Sequence, residues 1–102
     1  MTNYSKDEYW EKFKKNELAG YVFVSNQNCT INTVQPEDIL LRKLDEGGLG
    51  LTLCRESKQA EELIPDYFPS HTVVLEIYRN TLKNLIDQFP QEVKESVQID
   101  LV

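Results

Sequence analysis

The chain has 102 residues, 40% of them apolar and 27% charged, and a formal charge of −6 at pH 7. That length suits one domain over residues 1–102, and the apolar share with charges of both signs excludes wholesale disorder. The acidic balance excludes a binder of nucleic-acid phosphates, which needs a cationic footprint. No apolar stretch approaches the ~20 residues of a membrane span, and the N-terminus is charged rather than signal-like, so a soluble cytoplasmic protein is expected.

Ser5-Lys6-Asp7-Glu8 has the form of a capping box, with Tyr4 and Tyr9 at the ends of a hydrophobic staple. Tyr9, Trp10 and Phe13 recur at helical spacing, with Lys12, Lys14 and Lys15 on the wet side, so a helix is expected over 5–17. Gly20 breaks it. Tyr21 to Ser25 reads as a strand, Asn26-Gln27-Asn28 as a turn, and 29–34 as the return strand of a hairpin. Leu18 to Pro36 carries no charge at all, which fits a covered hairpin or one that meets another protein.

Pro36, Glu37 and Asp38 read as the first turn of a second helix that buries Ile39, Leu40, Leu41 and Leu44 and stops at Gly47-Gly48. Leu49, Leu51 and Leu53 alternate with Gly50, Thr52 and Cys54 as a strand. A helix over 57–64 is ended by Pro65, and Asp66-Tyr67-Phe68-Pro69 forms a connection. Thr72 to Tyr78 is the strongest strand, with Val73, Leu75 and Ile77 on one face. Asn80 can cap a helix carrying Leu82, Leu85, Ile86 and Phe89, Pro90 starts a further turn, and 97–102 is a final strand.

The expected order is α-β-β-α-β-α-β-α-β, an α+β domain with a mixed sheet of about four or five strands. The strand-helix-strand unit over 49–78 should place its two strands in parallel.

Catalytic chemistry finds little purchase. His71 is the only histidine, and Cys54, Ser70 and Asp66 stand at no spacing that assembles a nucleophile and base around it. Cys29 and Cys54 read as small buried hydrophobes, with one bridge between strands left open; Asn28-Cys29-Thr30 matches a glycosylation sequon by chance. One histidine and two isolated cysteines make no zinc site, and no loop has calcium-ligand alternation. Gly47-Gly48-Leu49-Gly50 follows a helix and precedes a strand, the wrong polarity for a phosphate cradle. No cofactor, metal or catalytic residue is therefore assigned.

Gly48-Leu49-Gly50-Leu51-Thr52, then Ala60 in a helix, then Val73-Val74-Leu75-Glu76-Ile77 together resemble the middle of small mono-ADP-ribosyltransferase-like domains. Those families carry a glycine-rich strand ending in an aromatic and Thr or Ser, an alanine-bearing helix and a "VLE"-type strand. The resemblance covers about a third of the chain. The upstream His or Arg motif is replaced here by Tyr21 to Ser25, Leu51 stands where an aromatic belongs, and no Glu-x-Glu or Gln-x-Glu follows the last strand. The resemblance thus implies a non-catalytic relative.

Acidic charge gathers in 37–46, 55–66 and the C-terminal segment, each netting −2. Such an anionic face can steer a basic protein partner. Tyr67-Phe68, framed by Pro65 and Pro69, has the form of a preorganised aromatic knob. The residues assigned to partner binding are accordingly Tyr67, Phe68, Asn26, Asn28, Glu61, Glu62 and Asp66. The expected function is a non-catalytic protein-interaction domain of inhibitor, immunity or regulatory-adaptor type. The alternative is a small enzyme or ligand-binding domain, a reduced ADP-ribosyltransferase-like relative, with Cys54, Arg55, His71 or Glu76 lining a pocket. Pairing of an edge strand, 29–34 or 97–102, offers a homodimer as a third reading.

Overall fold

The computed structural model describes residues 2–12 and 18–102. Phe13, Lys14 and Lys15, and with them the end of the first expected helix, lie outside these residues. A short strand β1 (Thr2–Tyr4) leads into α1 (Lys6–Lys12). The Ser5 hydroxyl accepts the Glu8 amide (3.3 Å), as a capping box requires, but the Glu8 carboxylate takes the Ser5 hydroxyl proton (3.0 Å) and not its amide. Tyr9 is fully buried, and its hydroxyl donates to the Ala19 carbonyl at 3.2 Å.

Strand β2 (Leu18–Val24) pairs antiparallel with β5 (Val73–Tyr78), not with the segment that follows it. The expected return strand at 29–34 is a loop. Its backbone is satisfied locally: the Thr30 N–H donates to the Thr33 side-chain Oγ1 (2.9 Å) and the Asn28 N–H to Asn26 Oδ1 (2.9 Å), while the Val34 N–H closes a turn on the Thr30 carbonyl (2.9 Å). The turn at 26–28 is thus as expected and the hairpin is not.

The second expected helix is one 3₁₀ turn, Pro36–Asp38. Asp38 turns its carboxylate back to the Gln35 amide (3.0 Å), and the chain then runs extended, with Leu40 N–H donating to Phe23 O (2.8 Å). Ile39 and Leu41 face one core while Leu40 faces the other. A strand buried on both sides shows a continuous apolar run, which periodicity cannot tell from a helix.

Two-residue strand β3 (Arg42–Lys43) turns through 44–48 into β4 (Leu49–Leu53). Gly47, at φ +96°, closes that tight loop by donating to Leu44 O (3.0 Å). Helix α2 (Ser57–Tyr67) passes through Pro65, which was expected to end it. Proline forfeits one hydrogen bond, yet the last turn still closes through Phe68 N–H to Ile64 O (3.0 Å). Phe68 is held there by stacking on Phe23, with ring centroids 4.1 Å apart. Asp66 and Tyr67 therefore belong to the helix and not to a connection.

After β5 come α3 (Arg79–Asp87), capped from Tyr78 and not from Asn80, then α4 (Gln91–Ser96) and β6 (Val97–Leu101). The four-stranded sheet has the order β1-β6-β4-β3, and only β4 and β6 run parallel. The expected parallel pairing of 49–53 with 73–78 is replaced by β4–β6, because β5 spends its pairing on β2. The β2-β5 ribbon joins this sheet where Tyr21 and Cys54 exchange backbone hydrogen bonds of 2.8 and 3.1 Å.

Both faces are covered. On one, Tyr9, Leu82, Leu85, Ile86 and Phe89 pack against Val22, Leu51, Leu53, Ile77 and Ile99. On the other, Ala60, Leu63 and Ile64 of α2 close over Phe23, Cys54 and Val74. The fold is α+β with a mixed sheet, as expected, although its element order differs by the gain of β1, β3 and α4 and the loss of the return strand and second helix. No helix among the described residues is long and apolar enough to cross a membrane.

Candidate functional site

Thr52 on β4 and Asp100 on β6 lie opposite each other in the parallel pair, on the face that carries α2. Asp100 is wholly buried, and a buried carboxylate needs compensation. Arg42 supplies it from β3: Nη2 donates to Asp100 Oδ2 at 2.5 Å and Nε donates to Thr52 Oγ1 at 3.1 Å. The Thr52 hydroxyl lies 3.4 Å from the same carboxylate oxygen. Arg42 then presents its guanidinium over the Tyr67 ring, 4.8 Å from the centroid. A buried charge thus fixes a cation, and the cation holds an aromatic ring that is 49% exposed.

Tyr67 ends α2 in line with Ala60 and Leu63, on the side that meets Arg42, while the outward side of the helix exposes Glu61, Glu62, Pro65 and Asp66. The structure therefore brings four of the assigned residues, Glu61, Glu62, Asp66 and Tyr67, onto one helix. Phe68 is separated from them in role: half-buried and stacked on Phe23, it closes the core. Asn26 and Asn28 are exposed on the loop beyond β2, engaged in their own turn.

Arg42, Thr52 and Asp100 were not among the expected site residues. In β6 the alternation Val97, Ile99, Leu101 points Asp100 away from the main core, the pattern of a solvated residue. It is buried because the second face of the sheet is covered too, with Arg42, Thr52 and Cys54 around the carboxylate. The C-terminal strand lies between β1 and β4 and is no edge strand, and 29–34 is no strand, so neither offers the expected route to a homodimer.

Positive charge gathers elsewhere: Lys6, Arg79, Lys83 and Lys94 surround Trp10 together with Asp7, Glu11 and Asp87. Arg79 lies over the Trp10 ring at 5.5 Å and donates to its carbonyl at 3.0 Å.

The groups weighed for catalysis do not gather in one described cleft. Arg55 lines an open cleft of about 560 Å³ with Glu56, Lys58, Gln59, Glu62 and Val102, without His71 or Glu76. Glu76 instead accepts the Tyr21 hydroxyl at 3.4 Å, and His71 is exposed. Cys29 and Cys54 are free thiols. Cys54 is sealed in the core, where burial, and then the charge of Asp100, push its thiol up to about 11. No cluster of three or more metal-ligating side chains occurs among the described residues.

That thiol carries a pH signature. Its pKa is raised on folding, first by burial and then by Asp100, so the neutral thiol costs the fold nothing below pH ~9 and stability is lost as pH rises towards 11, because the unfolded thiol ionises first. Urea midpoints of the wild type and Cys54→Ala are expected to change in parallel up to pH ~8.5. Above it the wild type should fall more steeply, by a further ~2 kcal/mol at pH 11. Parallel curves to pH 11 would contradict the buried placement.

Compared with known proteins, the chain matches no family model, no curated protein and no solved structure.

Proposed function

We propose that this is a small non-catalytic interaction domain of the inhibitor, immunity or regulatory-adaptor kind, acting in the cytoplasm on a basic protein partner. The observation that carries the reading is Tyr67. It is a large exposed aromatic whose ring is already held by Arg42, at the C-terminal end of a helix whose outward side carries Glu61, Glu62 and Asp66. A side chain ordered before binding loses less entropy on binding, and aromatics held this way act as interface hot spots. The surrounding carboxylates favour a cationic surface and reject an anionic one. The sealed, high-pKa Cys54 thiol supports the same reading over a cysteine-based enzyme.

The test compares tagged wild type with Tyr67→Ala and with a Glu61→Lys/Glu62→Lys double variant, each used to capture protein from lysate at 50 and 500 mM salt. One protein should be retained by the wild type at low salt, weakened by high salt and lost from both variants. A protein retained equally by all three, or none at all, would overturn the assignment of this face.

A further inference from the structure

Side chains from 35–41 and from 88–93 enclose an open cleft of about 500 Å³, a size within the range of small-molecule sites. Its apolar lining is Ile39 and Phe89, both buried, with Pro36, Leu41 and Val93 half-buried and Pro90 exposed. Both walls are held by the fold itself. Ile39 bridges Val24, and Leu40 N–H donates to Phe23 O at 2.8 Å, which ties one wall to β2. Phe89 N–H donates to Ile86 O (3.0 Å) and Lys94 N–H to Pro90 O (2.9 Å), which fix the other at the elbow between α3 and α4. A cleft set in advance loses little entropy on filling.

The polar lining is Gln35, Glu37 and Gln88, and what it leaves open is chiefly acceptors. The Gln35 and Gln88 amide nitrogens already donate, to Thr33 O (3.4 Å) and to Asn84 O (3.1 Å). The Gln88 side-chain oxygen and the Glu37 carboxylate have no partner among the described residues. No Lys or Arg lines the cleft, so its one charge is negative, in a chain that itself carries −6.

We infer that this cleft binds a small protonated amine with an apolar body, an alkyl- or arylalkylammonium ion. The body covers the Ile39 and Phe89 side chains, and the ammonium donates to the acceptors around them, Glu37 foremost. A carboxylate or phosphate on the same body meets like charge and no cation, so the cleft discriminates by repulsion as well as by attraction. None of its lining residues belongs to α2, so this inference and the Tyr67 reading stand or fall separately.

NMR titration of the isotope-labelled full chain with phenylbutylamine tests the inference, against phenylbutanol and phenylbutyrate as its neutral and anionic counterparts. At pH 7 and 20 mM salt the amine should shift the backbone amides of Ile39, Leu41, Phe89 and Val93 to saturation. It should bind about 2- to 5-fold tighter than the alcohol, the worth of one partly exposed ion pair, and the acid should bind weakest. Glu37→Gln should bring amine and alcohol to equal affinity. A Glu61→Gln/Glu62→Gln double variant removes more charge from another surface and should leave the difference intact, which separates a site from general attraction to an acidic chain. Val93→Trp, checked for folding by circular dichroism, should lose all three ligands. Amides of the cleft unmoved at 5 mM amine would overturn the inference. So would an alcohol or acid bound as tightly as the amine, a Glu37→Gln protein that keeps the amine's advantage, or a double variant that loses it.

Discussion

Asp100→Ala is expected to lower the stability of the fold by about 3 kcal/mol, which moves the melting midpoint of a chain this size down by about 12–24 °C. Removing the carboxylate takes from Arg42 the charge-assisted hydrogen bond to Asp100, and Thr52 loses a neighbour. The Arg42 side chain retains 19% of its exposure, so water recovers part of the loss and the lower end of the range for broken buried pairs applies. Asp100→Asn keeps the shape and part of the hydrogen bonding, and should cost less than Asp100→Ala. Replacing both partners, Arg42→Met with Asp100→Leu, should restore most of the stability, because no uncompensated charge remains. It should not restore partner binding, because the cation over Tyr67 is gone. Thermal melts of the three variants check the first part; an Asp100→Ala protein melting within 3 °C of the wild type would contradict it.

Gly20→Ala carries the other large effect. At φ +141° a side chain is already strained, and the new Cβ would stand 2.6 Å from the Cys54 carbonyl oxygen, a backbone atom that cannot swing aside. That carbonyl is held because it accepts the Tyr21 amide where the β2-β5 ribbon joins β4. Strain of ~1–3 kcal/mol and overpacking of similar size together give an expected loss of about 3 kcal/mol or more. Gly47→Ala isolates the first contribution: its φ is +96°, but a Cβ there meets nothing within 4 Å. Urea denaturation should therefore show Gly20→Ala losing at least twice as much as Gly47→Ala. Equal losses would mean that the junction is looser than its 2.8 Å hydrogen bond states.

These two positions also mark where the amino-acid order alone stops being informative. Strands β4, β5 and β6 and helix α3 were legible because their apolar spacing is regular. The α2 helix was legible up to Pro65, beyond which a tertiary contact, Phe68 on Phe23, carries it one turn further. Ile39-Leu40-Leu41 misleads because burial on both faces erases the period that distinguishes strand from helix. The loop at 29–34 misleads because Thr30 and Thr33 satisfy the backbone locally, an option that alternation of side-chain type does not reveal.

At the site, Tyr67 and the acidic residues of α2 were identifiable from composition and from the flanking prolines. Their support was not. Arg42 and Asp100 are 58 positions apart, and the pairing depends on β4 and β6 becoming neighbours. Cys54, on the same face as Asp100, also registers the buried charge, in its raised pKa.

Calorimetric titration of the protein captured at low salt, against wild type and Tyr67→Ala, tests most directly whether the held aromatic is the contact. A central hot spot is worth about 2 kcal/mol or more, so the affinity of a folded Tyr67→Ala is expected to fall at least ~30-fold. An affinity within twofold of the wild type would place the binding surface elsewhere and remove Tyr67 from it.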